Sequence, residues 1–199
     1  MPLRVITATG VGLTLLLNAC TPGPVPSAPM SAPVTQPAGS TSEQDAFTIG
    51  TGATDTFGGW MPDGQTLTPF DVSNPVVGWM DPLLLKAIQD ASRSTASDGV
   101  ELKVTSGWRS KGFQQRLFDD AVRTYGSVDI AKQYVASPET SMHVVGKAVD
   151  IGAADADEWL IRNGSRFGLC QIYANEIWHF ELAADEDGNC PPLKANAAG

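Results

Sequence analysis

Leu169-Cys170-Gln171-Ile172-Tyr173-Ala174-Asn175-Glu176-Ile177-Trp178-His179-Phe180-Glu181-Leu182 reads as two short strands, 169–173 and 178–182, with a turn at Ala174-Asn175. Each run is apolar and β-branched or aromatic, as a pleated, half-buried surface requires. A parallel crossover takes a dozen or more residues, and this gap is far shorter, so the pair must be antiparallel. Strand side chains alternate between faces, so residues 176 and 179 would point opposite ways within one regular strand. Glu176 is therefore expected just before the ladder and His179 inside it.

Working outward, Ala148–Gly152 reads as another strand, followed by a helix opened by Asp155 that runs past Trp159 and Leu160, with Gly168 beyond its end. Residues 136–142 read as loop. Ser127 is placed to cap a short helix through Val135, and a longer helix from Lys111 to Tyr125 is expected to bury Phe113, Leu117, Phe118 and Ala121 before stopping at Gly126. Val100, Leu102 and Val104 alternate with polar residues as a strand ending near Ser106. Asp81-Pro82 marks a helix start, with Leu84, Ala87, Ile88 and Ala91 on one face. The stretch before Met80 resists assignment. The fold class expected is α+β, an antiparallel sheet with helices packed on it.

At 199 residues with 42% hydrophobic content, the chain is long enough to bury a core. Its formal net charge of −9 argues against a nucleic-acid surface. The first 19 residues carry one cation, Arg4, then an apolar run from Val5 to Leu17, too short to span a bilayer but suited to a signal peptide. Leu17-Asn18-Ala19-Cys20 resembles a bacterial lipobox, which implies lipid on Cys20 and a membrane tether; the other reading of this segment is an ordinary secretory signal. Residues 20–46 are rich in Pro, Ser and Thr and read as an extended tether. The domain is expected over residues 47–199. Cys170 and Cys190 then remain as an even pair in an exported chain, better read as a disulfide than as metal ligands lacking a close Cys-x-x-Cys partner. Closing a loop of about 20 residues contributes ~3 kcal/mol by the chain-entropy account.

The chain has two histidines, His143 and His179, each near carboxylates, in Ser141-Met142-His143-Val144-Val145-Gly146-Lys147-Ala148-Val149-Asp150 and in Glu176-Ile177-Trp178-His179. Two imidazoles and one carboxylate leave a catalytic zinc one open position. The ion lowers the pKa of its water, and a carboxylate that is not a ligand must take the proton. Glu176 suits that task. Asp150, between Val149 and Ile151, is costly to bury without a partner.

Ser-x-His-x-x-Gly-x-Ala-x-Asp followed by Glu-x-Trp-His resembles the D-Ala-D-Ala carboxypeptidases of the VanY type, in the wider zinc peptidase group with D-Ala-D-Ala dipeptidases and the hedgehog domain. Ser106-Gly107-Trp108-Arg109-Ser110, with Gln114 beyond, is similar to the family's Ser-Gly-Tyr-Arg-Ser-x-x-x-Gln, with Trp108 in place of Tyr. The resemblance covers about Pro82 to Leu182. It implies zinc on His143, Asp150 and His179, Glu176 as base and then proton donor, Arg109 at the substrate carbonyl or carboxylate, and Ser141 and Gln114 as substrate contacts.

Together these readings lead to an exported, monomeric zinc peptidase, lipid-anchored in the cell envelope, that removes the terminal residue from D-Ala-D-Ala stem peptides of peptidoglycan. A peptidoglycan endopeptidase or dipeptidase of the same fold remains open, as does a zinc-containing wall-binding module without turnover, or a metal-free lipoprotein scaffold.

Overall fold

The structure, a computed structural model, describes residues 55–199. The expected signal peptide, Cys20, the tether and residues 47–54 lie outside the described residues. No helix among those described is long and apolar enough to cross a membrane.

Four strands form one antiparallel sheet in the order β1-β2-β4-β3: β1 Lys103–Ser106, β2 Ala148–Gly152, β3 Leu169–Gln171 and β4 His179–Leu182. In the central pair Ala148 faces Glu181, Val149 faces Phe180 and Asp150 faces His179. Alternation sends Val149, Ile151 and Phe180 to one side, where they are at most 1% exposed, and Asp150, His179 and Glu181 to the other. One face of the sheet is thus core and the other carries polar chemistry.

The helices follow the sequence reading closely where capping is strong. Helix α2, Pro82–Ala96, starts where Asp81 accepts from the Leu83 N–H at 2.8 Å. Its Leu84, Ala87, Ile88 and Ala91 enter the core with Leu102, Val104, Trp159, Leu160 and Leu169. Helix α3 spans Lys111–Tyr125, with Ser110 accepting from the Phe113 N–H and Gly126 left-handed at φ 74°. Phe113 and Ala121 are buried as expected, but Leu117 and Phe118 are half-buried, Leu117 because it borders a cleft.

Elsewhere the expected bounds shift. The unassigned stretch contains helix α1, Pro75–Gly78, capped by Asn74, whose Val76 and Val77 are fully buried; a single turn has no periodicity to read. β1 begins at Lys103 because the Val100 N–H closes the end of α2 on Thr95. Helix α4, Val128–Ala131, is shorter than expected, since Val128 and Ile130 are exposed and no apolar face continues it to Val135. Helix α5 spans Ala154–Asn163, opening one residue before Asp155, and a 3-10 turn over Gly164–Phe167 continues it to Gly168. β3 ends at Gln171 because Ile172 and Ala174 bond instead to Lys194. Cys170 and Cys190 form a disulfide with Cα atoms 5.6 Å apart.

Candidate metal centre and active-site cleft

The polar face of the sheet receives three segments. A bulge at Thr105 shifts the β1–β2 register so that Ser106 pairs with Asp150. The Ser106 hydroxyl then accepts from Arg109 Nε at 2.8 Å. Gly107 allows a close approach that a Cβ would forbid, since that atom would fall 2.3 Å from the Val76 carbonyl oxygen. The Gly107 carbonyl accepts from His143 Nδ1 at 2.7 Å, and the Arg109 N–H donates to the His143 carbonyl at 3.1 Å. His143 is thus gripped by ring and backbone.

The loop bearing His143 is set by Gly146. Its φ is 70°, and a Cβ there would lie 2.7 Å from the Trp79 carbonyl oxygen. Its own carbonyl accepts from the Asp81 N–H at 2.8 Å, which docks the loop on the start of α2. Gly146 is therefore more than a turn residue.

The two imidazoles have defined tautomers. A carbonyl only accepts, so His143 Nδ1 carries hydrogen and Nε2 presents a lone pair. His179 Nε2 donates to the Glu181 carboxylate at 2.9 Å, leaving Nδ1 as the lone pair in the neutral ring. His143 Nε2 and His179 Nδ1 stand 3.3 Å apart, and Asp150 Oδ1 is 3.3 Å from the first and 3.1 Å from the second. With both rings neutral, three acceptors face one point, a donor set that suits a cation. Two donors bound ~2.0–2.1 Å from a tetrahedral zinc are about 3.3–3.4 Å apart, so the spacing fits. The outer atom of each candidate ligand is held by Gly107, Glu181 or Arg109, as oriented metal ligands need.

Electrostatics agree. Burial opposes charge on Asp150, but the two imidazoles and Arg109 outweigh it and hold the carboxyl well below its usual range. Burial, then Arg109, lowers His143. Burial also opposes charge on His179, yet its bonds to Asp150 and Glu181 prevail and raise it to about 9 in the metal-free protein. Glu176 Oε2 lies 3.9 Å from His179 Nδ1, and burial pushes this carboxyl up to about 7.

These groups border a cleft of about 310 Å³. Ser141, Arg109, Glu176 and Trp178 line it, as do Tyr134 and Tyr173. Trp108 instead packs edge-on against Trp79, with ring centroids 4.5 Å apart. Arg109 Nη2 donates to Asp150 Oδ2 at 2.8 Å and Nη1 to Gln114 Oε1 at 3.2 Å. Gln114 Nε2 in turn donates to the Ala136 carbonyl at 2.8 Å, so both ends of this amide, 1% exposed, bind protein. Gln114 thus steadies Arg109 and also borders the cleft.

The family model described as VanY: D-alanyl-D-alanine carboxypeptidase matches residues 78–185, the stretch holding His143, Asp150, His179, Glu176 and Arg109. The chain belongs to the VanY family. It is 32% identical over 124 residues to a D-alanyl-D-alanine carboxypeptidase of Enterococcus faecalis, across 50% of this chain and 46% of that protein, and so spans about half the length of that curated relative. Among solved structures, VanYB in complex with D-alanine-D-alanine is 28% identical with a TM-score of 0.50, over 55% of this chain and 74% of that one. A VanY D,D-pentapeptidase mutant from a VanB-type vancomycin resistance cassette, in complex with Zn(II), is 30% identical with a TM-score of 0.48, over 51% and 71%.

Within this VanY-family chain the sequence reading missed three supports. Glu181 lies two residues after His179 on the same strand face, a spacing that carries the signal. Tyr173, whose ring centroid is 5.1 Å from that of His179, was read only as part of a strand. The Gly107 carbonyl had no signal, because any residue supplies one.

Proposed function

We propose that this chain is a zinc-dependent D-alanyl-D-alanine carboxypeptidase acting on peptidoglycan stem peptides. The observation that carries the reading is the convergence of His143 Nε2, His179 Nδ1 and Asp150 Oδ1, whose ligand atoms lie within 4.8 Å of one another, with Glu176 beside them. A zinc ion held there supplies Lewis-acid chemistry, polarising a carbonyl oxygen and acidifying water. Glu176, with its carboxyl pushed to about 7, takes a proton from water at Oε2 near neutral pH and delivers it to the leaving amine nitrogen. Arg109 uses three N–H groups on Ser106, Gln114 and Asp150, and a guanidinium has five. The remaining N–H groups, on a side chain bordering the cleft, receive negative charge on the substrate carbonyl or carboxylate. Ser141, also on the cleft wall, offers a hydroxyl to the peptide, while Gln114 positions Arg109.

Such a substrate lies outside the cytoplasmic membrane, which agrees with residues 1–19 as an export signal, Cys20 as a lipid attachment point and residues 20–46 as a tether to the domain. The test is incubation of the purified, zinc-loaded protein with a pentapeptide ending in D-Ala-D-Ala. Release of D-alanine that is lost in Glu176→Ala is expected; no release, or undiminished release by the variant, would sink the proposal. Labelling of the exported protein by palmitate, abolished in Cys20→Ala, tests the anchor.

A further inference from the structure

Residues 55–77 precede the stretch the family matches, yet they wrap the segment that carries Arg109. Leu67 and Val104 exchange backbone hydrogen bonds of 3.0 and 2.7 Å, which lays the incoming chain along β1. Just past β1, both neighbours of Arg109 donate a backbone N–H to this segment. Trp108 donates to the Val76 carbonyl at 2.9 Å, and Ser110 to the Gly58 carbonyl at 2.8 Å. Arg109 itself donates to the His143 carbonyl at 3.1 Å. Three successive N–H groups are thus tied to three separate points of the fold.

The closest approach is at Gly59. A 3-10 turn over Thr56–Gly58 is closed by Asp55, whose Oδ1 accepts from the Gly58 N–H at 2.7 Å. Asp55 Oδ2 accepts from Arg116 Nη2 at 2.7 Å, which fixes the turn to α3. Gly59 follows at φ 94°, and a Cβ there would fall 2.3 Å from the Trp108 carbonyl oxygen and 3.1 Å from Arg109 Cα. A residue without a side chain is needed for both the conformation and the contact. The Arg109 side chain bonds to Ser106, Gln114 and Asp150, so the turn reaches it through the backbone.

We infer that residues 55–60 are a clamp that positions Arg109, setting from outside the matched stretch how its guanidinium meets the cleft. Asp55, Gly58 and Gly59 are positioning residues, because none of them lines the cleft. The importance of Arg109 to the reaction rests on the peptidase reading above; its placement by the clamp does not. Rates are sensitive to such placement, since a misplacement of ~1 Å in an active site costs about 10²-fold.

The experiment uses the full-length, zinc-loaded protein as wild type, Gly59→Ala and Asp55→Ala, each with Arg109 intact and in an Arg109→Ala background. Zinc content and circular dichroism confirm that each is folded and loaded. The first readout is the nitrogen-15 NMR signal of the Arg109 Nε–H that bonds Ser106, assigned by its loss in Arg109→Ala. It is expected to shift or broaden in both clamp variants, and an unmoved signal overturns the inference. The second is kcat/KM on a pentapeptide ending in D-Ala-D-Ala. Gly59→Ala is expected to lower it about tenfold or more with Arg109 present, and by less than about twofold without it, the non-additivity of groups that act through one another. A merely structural role gives equal losses in the two backgrounds, which overturns the inference, as does a Gly59→Ala rate equal to wild type. If Gly59→Ala does not fold, Asp55→Ala decides on the same two readouts. If wild type releases no D-alanine, the peptidase reading fails instead, and the Arg109 Nε–H signal alone decides the clamp: displaced supports it, unmoved overturns it.

Discussion

Asp150 and His179 are directly opposite each other in the β2–β4 ladder, with Asp150 Oδ1 3.1 Å from His179 Nδ1. Because strand side chains alternate, slipping this pair by one residue would turn both groups into the core and bring Val149 and Phe180 to the polar face. The buried apolar face therefore enforces the register on which the candidate metal site depends. His143 joins them from a loop, held by Gly107 and Gly146.

Metal removal is expected to lower thermal stability. A ligand bound by the folded state alone and held at a thousandfold its Kd stabilises by about 4 kcal/mol. At about 2–4 °C per kcal/mol for a chain of this size, a chelator is expected to lower Tm by about 8–16 °C, with zinc restoring it. Scanning calorimetry with metal analysis checks this, and Asp150→Asn is expected to abolish both stoichiometric zinc and the shift.

Glu176→Gln is expected to keep zinc while kcat falls by about 10²–10⁴, the usual contribution of a general base. The base must be unprotonated, so activity rises with pH as Glu176 loses its proton. Since nearby zinc favours the carboxylate, the acidic limb of kcat/KM in wild type is expected at or below the metal-free value of about 7. A pH profile of the residual activity of the glutamine variant that retained this limb would assign it to another group.

Gly146→Ala is expected to destabilise the protein. A side chain at φ 70° costs about 1–2 kcal/mol from backbone conformation alone, and the added Cβ presses on the Trp79 carbonyl. Urea unfolding measures the loss, and zinc affinity is expected to fall with it because the loop carries His143. Unchanged affinity in this variant would remove Gly146 from the support of the site.

Asp157, 5% exposed in α5, has a carboxyl oxygen, Oδ1, without a hydrogen-bond partner, and burial raises its pKa from 3.8 to about 6. The folded state thus binds this proton more tightly than the unfolded chain. The resulting stability is full below about pH 3.8 and is lost as pH rises through about 6. Asp157→Asn is expected to lose less Tm than wild type between pH 5 and pH 7.5, about these values. Parallel thermal melts of the two proteins decide it, and identical slopes would assign the pH dependence elsewhere.

Local chemistry made much of this molecule legible in advance. Asp81-Pro82 and Gly126 mark helix ends because caps act on their own backbone, and the two histidines stand out because imidazole is scarce in this chain. Helix α1, the shortened α4 and the end of β3 were not legible: their limits depend on burial and on partners distant in sequence. The same division holds in the site. Tyr173 matters through where it sits beside His179, and the bonds of Gln114 to Arg109 and Ala136 exist only in the fold.

The sequence by itself determined the antiparallel α+β plan and the inventory of metal-binding side chains, because alternation, capping and residue chemistry are local properties. Tertiary structure alone decided that Gly107 orients the His143 imidazole, that Gly146 docks the His143 loop on the start of α2, and that Arg109 meets Asp150. Those relations are distances between segments far apart in the chain, and they arise only when burial of one sheet face brings the segments together.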